Sequence, residues 1–518
     1  MRNLLLPAVL TLALAGCQPA ETPFDLLIVN GTVHDGSLNP GRVANIGIRD
    51  GHIVSIDAAA DAPAKRVIDA AGLVVTPGFI DPHTHARDDL LEPSTARNEN
   101  YLAQGATTVY IGNDGDGLPN RVESIASMTD HGIGTNVAFF SGHRPVREAV
   151  MGEENRAPSE AELASMRELV AEDMQAGAIG LSTGLFYTPG SFAGTEEVIA
   201  LAAEAARFGG IYDSHLRDES SYNIGVVGSV AELIEIGEKA GIKVHAAHLK
   251  ALGRDVWGQS GDIIALIDSA RERGLDVTAD QYPYVASGTR LKSALIPAWV
   301  RADSSEAMFE RLDNPDLADG IREEMEANLY RRGGRDSFLI TGDSPWRGKT
   351  LGQVAEELGL DPIDAAIEIV KSGDPGVASF NMNVDDIDAM AIQPWMMTGS
   401  DGSEGHPRKF ATYPKAYRDF VVERKLMPLE QFVHRSSGLV ADTYGLCDRG
   451  YIAVGRRADV AVIDLEAFRP VADFENPTGL ATGVRHLLVN GRLAIADGQA
   501  TAERAGEIIH FQNLECKQ

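Results

Sequence analysis

Five side chains with metal-ligand chemistry close apolar, strand-like runs in this chain. His83 and His85 stand in Pro77-Gly78-Phe79-Ile80-Asp81-Pro82-His83-Thr84-His85. His215 follows Ile211-Tyr212, His248 follows the run that starts at Val244, and Asp401 follows Met396-Met397-Thr398-Gly399-Ser400. Side chains at i and i+2 of a strand point the same way, so His83 and His85 can address one cation together. Imidazole nitrogen suits Zn²⁺, at roughly 2.0–2.1 Å. His-x-His alone is a common pattern; it gains weight here because it closes a strand and the other three residues do too. A cation held this way brings the pKa of water toward ~7 and so makes a nucleophile at neutral pH. Hydrolysis then needs a group that accepts the water's proton and hands it to the leaving group. A carboxylate beside the metal, Asp401, has the chemistry for both steps. The pattern implies metal-dependent hydrolysis.

Such ligands must be gathered by strands ending at one place. Strand signals begin near Phe79, Thr108, Val137, Ile179, Ile211, Val244, Val277 and Trp395, several of them separated by about the length of one βα unit. Helical patterns lie between them. Thr195 reads as an N-cap, with Glu196 and Glu197 in the first turn, Val198, Leu201, Ala202 and Ala205 on one face, and Gly209-Gly210 as the stop. Ser260 to Arg273 repeats the scheme and ends at Gly274. The expected fold class is α/β: a (β/α)₈ TIM-like barrel over residues 76–449. A doubly wound open sheet is the competitor, but it does not gather ligands from its first, fifth, sixth and last strands. An insertion around residues 290–390, with Glu306 to Arg332 helical, either covers the barrel mouth or decorates the surface. Leu26 to Val33 reads as a hairpin turning at Asn30-Gly31, Asn45 to Ile56 turns at Asp50-Gly51, and Leu487 to Leu493 turns at Asn490-Gly491. Ala458 to Asp464 is a further strand. Residues 24–75 and 450–512 are therefore expected to form one small β-sandwich domain from both chain ends.

With 518 residues and 44% hydrophobic content, the chain can build a large core. A formal charge of −29 argues against nucleic acid and anionic membrane surfaces as partners. Met1-Arg2-Asn3 followed by the apolar run Leu4 to Ala15 reads as a signal peptide. Leu14-Ala15-Gly16-Cys17 resembles a bacterial lipobox. Residues 1–17 are thus expected to be a lipoprotein leader and 18–23 a tether. That puts the mature protein in the cell envelope, held to the membrane only by a lipid on Cys17; Gln18 resembles the signal for outer-membrane sorting. An ordinary secretory leader with a chance cysteine is the alternative. Cys447 and Cys516 are too few for a disulfide framework, so stability must rest on the core.

Longer phrases carry a family resemblance. Gly105-Ala106-Thr107-Thr108-Val109-Tyr110-Ile111-Gly112-Asn113, Gly142-His143 with Arg147 and Met151-Gly152, and Gly177 to Leu185 occur in order. They are followed by Ser214-His215-Leu216-Arg217-Asp218-Glu219, His248-Leu249-Lys250, Asp280-Gln281-Tyr282-Pro283-Tyr284, Gly399-Ser400-Asp401-Gly402 and His406-Pro407-Arg408. With Gly78-Phe79-Ile80-Asp81-Pro82-His83-Thr84-His85, this series resembles the N-acyl-D-amino-acid deacylases (D-aminoacylases) of the amidohydrolase superfamily.

The resemblance implies one or two Zn²⁺ ions held by His83, His85, His215, His248 and Asp401, with Asp401 as proton shuttle. It selects His248 over His245, which is expected to be packed or on the surface. The family usually places a ligating Cys after Gly-Asn on the second strand; this chain has Asp114. A carboxylate also ligates zinc and is harder than a thiolate, so Asp114 is expected to keep the role, with Asp116 in reserve. By the same resemblance Lys250 and Arg408 bind the substrate carboxylate, helped by Tyr282, Tyr187 and Ser287. Ala178 to Leu185 contains no lysine, unlike the related hydantoinases and dihydroorotases, which bridge two metals with a carboxylated lysine. The expected reaction is hydrolysis of N-acyl-D-amino acids to a carboxylate and a D-amino acid. The alternatives are a dipeptidase acting on short peptides with a D-residue, and an inactive metal- or solute-binding lipoprotein.

Overall fold

Eight short strands, buried on both faces except at Lys243, form the barrel of the computed structural model, which describes residues 22–511. They are β1 (Phe79–Asp81), β2 (Ala106–Ile111), β3 (Asn136–Phe139), β4 (Gly180–Gly184), β5 (Ile211–His215), β6 (Lys243–Ala246), β7 (Val277–Gln281) and β8 (Met396–Thr398). All lie where the sequence places them. Pairing is parallel from β1 to β3, passes to β4 through Ser141-Gly142 just beyond β3, and runs parallel to β8. The ring closes where Thr84 bridges Gly402 in parallel and the Asp401 amide donates to the His83 carbonyl at 2.8 Å. Closure therefore occurs at the segments that carry three of the expected ligands.

Outer helices cover the strands: α1 (Glu160–Gln175), α2 (Thr195–Ala206), α3 (Gly225–Ala240) and α4 (Ser260–Glu272). Ser159 and Glu162 cap α1 reciprocally. The cap expected of Thr195 is corrected: Gly194 is the N-cap, and the Thr195 hydroxyl donates to Glu232 at 2.8 Å, tying α2 to α3.

The two chain ends share one nine-stranded sheet, joined where Val460–Ile463 pairs antiparallel with Val74–Pro77. Alternation along that central strand serves two cores. Val460 and Val462 pack with Ile28, Ile46 and Leu488 inside the small domain, while Ala461 and Ile463 face the barrel's core. The turns at Asp50-Gly51 and Asn490-Gly491 are present, with all four residues at positive φ. The hairpin expected at Asn30-Gly31 is not: Phe24–Val33 is one strand, with a bulge at Val29-Asn30 against Arg42–Arg49 just before Gly31.

The insertion builds its own unit. Ala286–Arg290, Gly376–Phe380 and Phe338–Ile340 form an antiparallel sheet backed by helices and a separate core that includes Leu291, Leu295, Phe338 and Ile369. The helix expected over Glu306–Arg332 is two, Ser305–Leu312 and Ala318–Arg331, broken at Asn314-Pro315. Cys447 is disulfide-bonded. No helix among the described residues is long and apolar enough to cross a membrane. The leader and Cys17 lie outside the described residues.

Candidate metal centre

Six side chains from five barrel strands meet at the C-terminal mouth, in two groups that share Asp114. His83, His85, Asp114 and Asp401 form one; Asp114, His215 and His248 form the other. Asp114 Oδ1 lies 3.4 Å from His83 Nε2, 3.3 Å from His248 Nε2 and 3.6 Å from His215 Nδ1, and Oδ2 lies 3.5 Å from His85 Nε2. Asp401 Oδ1 is 3.1 Å from His85 Nε2 and 3.8 Å from His83 Nε2. His83 Nε2 and Asp114 Oδ1 are buried and face each other without a hydrogen bond. Two such atoms satisfied by one cation account for both, and the donor set of imidazole and carboxylate suits zinc. Asp114, on the loop after β2, is the residue that belongs to both groups.

The backbone holds three of these ligands in the left-handed region: Asp114 at φ 56, His248 at φ 35 and Asp401 at φ 46. Such conformations cost on the order of 1–3 kcal/mol each and persist where surrounding structure imposes them. At Asp114 the constraint is visible. Its carbonyl lies so close to Gly184 that a Cβ there would meet it at 2.2 Å, and the Gly115 amide donates to Ser182 Oγ at 3.1 Å.

Electrostatics keep Asp114 anionic. Burial alone would raise the Asp114 pKa, but the charges of His83 and His248 and the close approach of the His215 and His248 rings hold it well below the usual carboxylate range. Burial likewise opposes ionisation of Asp401, and Arg408 with its neighbouring imidazoles overcomes it. Beneath the ligands Asp280 Oδ1 hydrogen-bonds to His245 Nε2 at 3.0 Å and lies 3.7 Å from His83 Nδ1. His245 is thus packed, its Nδ1 2.8 Å from Thr278 Oγ1.

Sequence reasoning missed Glu219. It ion-pairs with Lys250 and sits 3.1 Å from His248 Nδ1, fixing the orientation of a ligand ring. The signal was available, because Glu219 follows His215 by four residues in a phrase already singled out. Asp116, the reserve ligand, turns away to Arg144 at 2.9 Å.

The expected substrate contacts line one cavity of about 1160 Å³ above the metal ligands. Arg408 opens helix α5 (Arg408–Ala416). Its Nη1 is 2.8 Å from Asp401 Oδ2, and its guanidinium lies over the Tyr282 ring at 4.7 Å. Tyr282 Oη is buried and free of hydrogen bonds. Lys250 is engaged by Glu219 and by His248 Nδ1 at 2.8 Å. The Tyr187 ring lies 4.7 Å from that of His215, and Ser287 Oγ, on the insertion's first strand, donates to Asn381 at 3.3 Å.

Known proteins resemble this chain in sequence and fold. The sequence profile of the amidohydrolase family matches residues 66–495. A D-aminoacylase of Alcaligenes xylosoxydans xylosoxydans is 34% identical, covering 95% of this chain and 99% of the relative. An N-acyl-D-glutamate deacylase from the same organism is 32% identical over 94% and 97%. Among solved structures, the N-acyl-D-glutamate deacylase of Bordetella bronchiseptica, complexed with zinc and a phosphonate mimic of the tetrahedral intermediate, superposes with a TM-score of 0.81. It is 31% identical and covers 94% of this chain and all of its own. A D-aminoacylase with a binuclear metal centre, activated by one metal and attenuated by a second, matches with the same TM-score at 30% identity, over 94% of this chain and all of its own. A D-hydantoinase from Thermus sp., at 16% identity and a TM-score of 0.58, shares the fold.

Proposed function

Because this chain belongs to the amidohydrolase family, its profile spanning residues 66–495, we propose that it hydrolyses the amide of N-acyl-D-amino acids to a carboxylate and a D-amino acid. The observation that carries the reading is the meeting of the Asp114-linked ligands with Asp401 and Arg408 in one cavity. Bound between Asp114 and the imidazoles, a zinc ion would supply the Lewis acidity that polarises the scissile carbonyl and acidifies water.

This chain's residues supply the rest. Asp401, held ionised by Arg408 and the imidazoles, accepts the proton of the attacking water. It returns that proton to the amine nitrogen as the C–N bond breaks. Arg408 offers a guanidinium fork to the substrate's α-carboxylate. Tyr282 Oη, buried without a hydrogen bond, supplies a further donor. Glu219 keeps Lys250 and His248 in place from behind. The family's cysteine position is occupied by Asp114, whose contacts with four imidazoles support retained ligation. The leader and Cys17 support an envelope address for the enzyme.

A second reading keeps the chemistry and lengthens the substrate to peptides with a D-residue. The cavity favours it, since about 1160 Å³ exceeds the ordinary range for a small-molecule site. Metal analysis with paired N-acetyl-D- and N-acetyl-L-amino acids tests the proposal on the form beginning after Cys17. D-selective release with bound zinc is expected. Bound metal without release from either series would turn the reading to peptides, and absence of metal would favour the inactive binding protein.

A further inference from the structure

Two buried guanidinium groups in the cavity wall have no carboxylate partner among the described residues. Arg301 follows the short helix Leu291–Leu295 of the insertion, and Arg332 caps Ala318–Arg331. Both are buried, at 8% and 3% exposure, and both line the cavity above the metal ligands. Arg301 Nε donates to the Ile296 carbonyl at 3.0 Å, and its two Nη groups make no hydrogen bond among the described residues. Arg332 Nε donates to Tyr222 Oη at 2.6 Å, and its Nη1 is buried without any partner. The other buried basic groups that reach the ligands do have carboxylate partners: Lys250 pairs with Glu219 and Arg408 with Asp401.

Their placement ties them to the reaction centre. The Arg332 guanidinium lies 5.9 Å from the Phe186 ring centroid and 5.8 Å from that of Tyr222. Phe186 in turn lies 5.9 Å from the His215 ring, so one aromatic side chain separates Arg332 from a metal ligand. Burial, with the adjacent charge of Arg332 acting in the same direction, lowers the Arg301 pKa to about 10. Two desolvated like charges are costly unless an anion sits with them. Asp374, an acid whose charge acts on Arg301, is engaged with Lys292.

We propose that Arg301 and Arg332 form a subsite for a second carboxylate of the substrate, beyond the α-carboxylate, so that this enzyme prefers dianionic N-acyl-D-amino acids. The inference rests on the deacylase reading. The second carboxylate belongs either to an acidic D-side chain or to a dicarboxylic acyl group; the recognition chemistry is the same.

The test compares kcat/KM for N-acetyl-D-glutamate, N-succinyl-D-leucine and N-acetyl-D-leucine on the zinc-loaded enzyme, then on Arg301→Gln, Arg332→Met and Arg332→Lys. The wild type should favour one dianion over N-acetyl-D-leucine by about tenfold or more, and the favoured one identifies the source. In Arg301→Gln and Arg332→Met the ratio of dianion to N-acetyl-D-leucine should fall by about tenfold to a hundredfold, the weight of one or two charge-assisted hydrogen bonds. Arg332→Lys should restore part of it. If the variants fail to fold, the wild-type ratio decides. A wild type that hydrolyses N-acetyl-D-leucine as well as both dianions overturns the subsite and leaves the deacylase reading standing. A wild type that hydrolyses none of the three overturns that reading and this inference with it.

Discussion

Arg408 Nη1 lies 2.8 Å from Asp401 Oδ2, with both side chains buried at the barrel mouth. The pair divides the Asp401 carboxylate: Oδ2 is held by the guanidinium while Oδ1 faces His85 and the metal ligands. Replacing Asp401 by Asn keeps the shape and removes the proton acceptor. We expect kcat to fall by roughly 10²–10⁴ with metal still bound, the span of general acid–base catalysis. Near-normal turnover in a metal-loaded Asp401→Asn enzyme would exclude the proposed proton path. Arg408→Lys should chiefly raise KM, because a point charge does not replace a fork on a carboxylate.

Asp114 presents oxygen where the family usually presents sulfur. Asp114→Cys should shift the site toward softer metals, raising its preference for zinc over manganese or magnesium. Competition dialysis followed by elemental analysis reads this directly, independent of turnover. Asp114→Ala should lose metal, since both ligand groups share this residue. Unchanged metal content in Asp114→Ala would show that it is a loop residue only.

The fold was legible where burial dictates pattern, and illegible where tertiary contacts override local chemistry. All eight barrel strands lie where apolar runs place them, because a parallel strand covered on both faces has little freedom in composition. Their C-terminal ends carried the histidines and Asp401. Asn30-Gly31, a strong hairpin signal, lies instead at a bulge within one strand: a Cβ at Gly31 would meet Val75 Cγ2 at 2.5 Å, so close packing explains the glycine. Thr195 looked like a cap, but its hydroxyl is bound to Glu232 across a helix interface. Arg301 and Arg332 carried no periodic or motif signal. Only the folding of the insertion brings them to the cavity.

Glu219 touches both Lys250 and His248 behind the ligands. Glu219→Gln keeps the volume and removes the charge that orients the His248 ring. Losses of outer partners of this kind typically cost 10–100-fold in metal affinity or activity. Zinc retention measured against a chelator series should drop within that range. Zinc held as tightly as in the wild type would confine Glu219 to pairing Lys250.

Glu197 lies far from solvent, 2.6 Å from Arg147 Nη1 and 2.9 Å from His143 Nε2. Burial alone would raise its pKa above the ordinary 4.5, but the His143 hydrogen bond and charge and the Arg147 ion pair outweigh it and hold the folded value below that. A folded pKa below the unfolded one means stability that is fully present above about pH 4.5. It is lost as pH falls through the folded value. Glu197→Gln leaves the Arg147 guanidinium buried and unpaired, so it should destabilise the fold by about 3–5 kcal/mol at neutral pH. The gap between wild type and variant should narrow as the pH drops below about 4.5, measured by urea unfolding at stepped pH. A gap that stayed constant through that range would show that Glu197 acts by packing and not by charge.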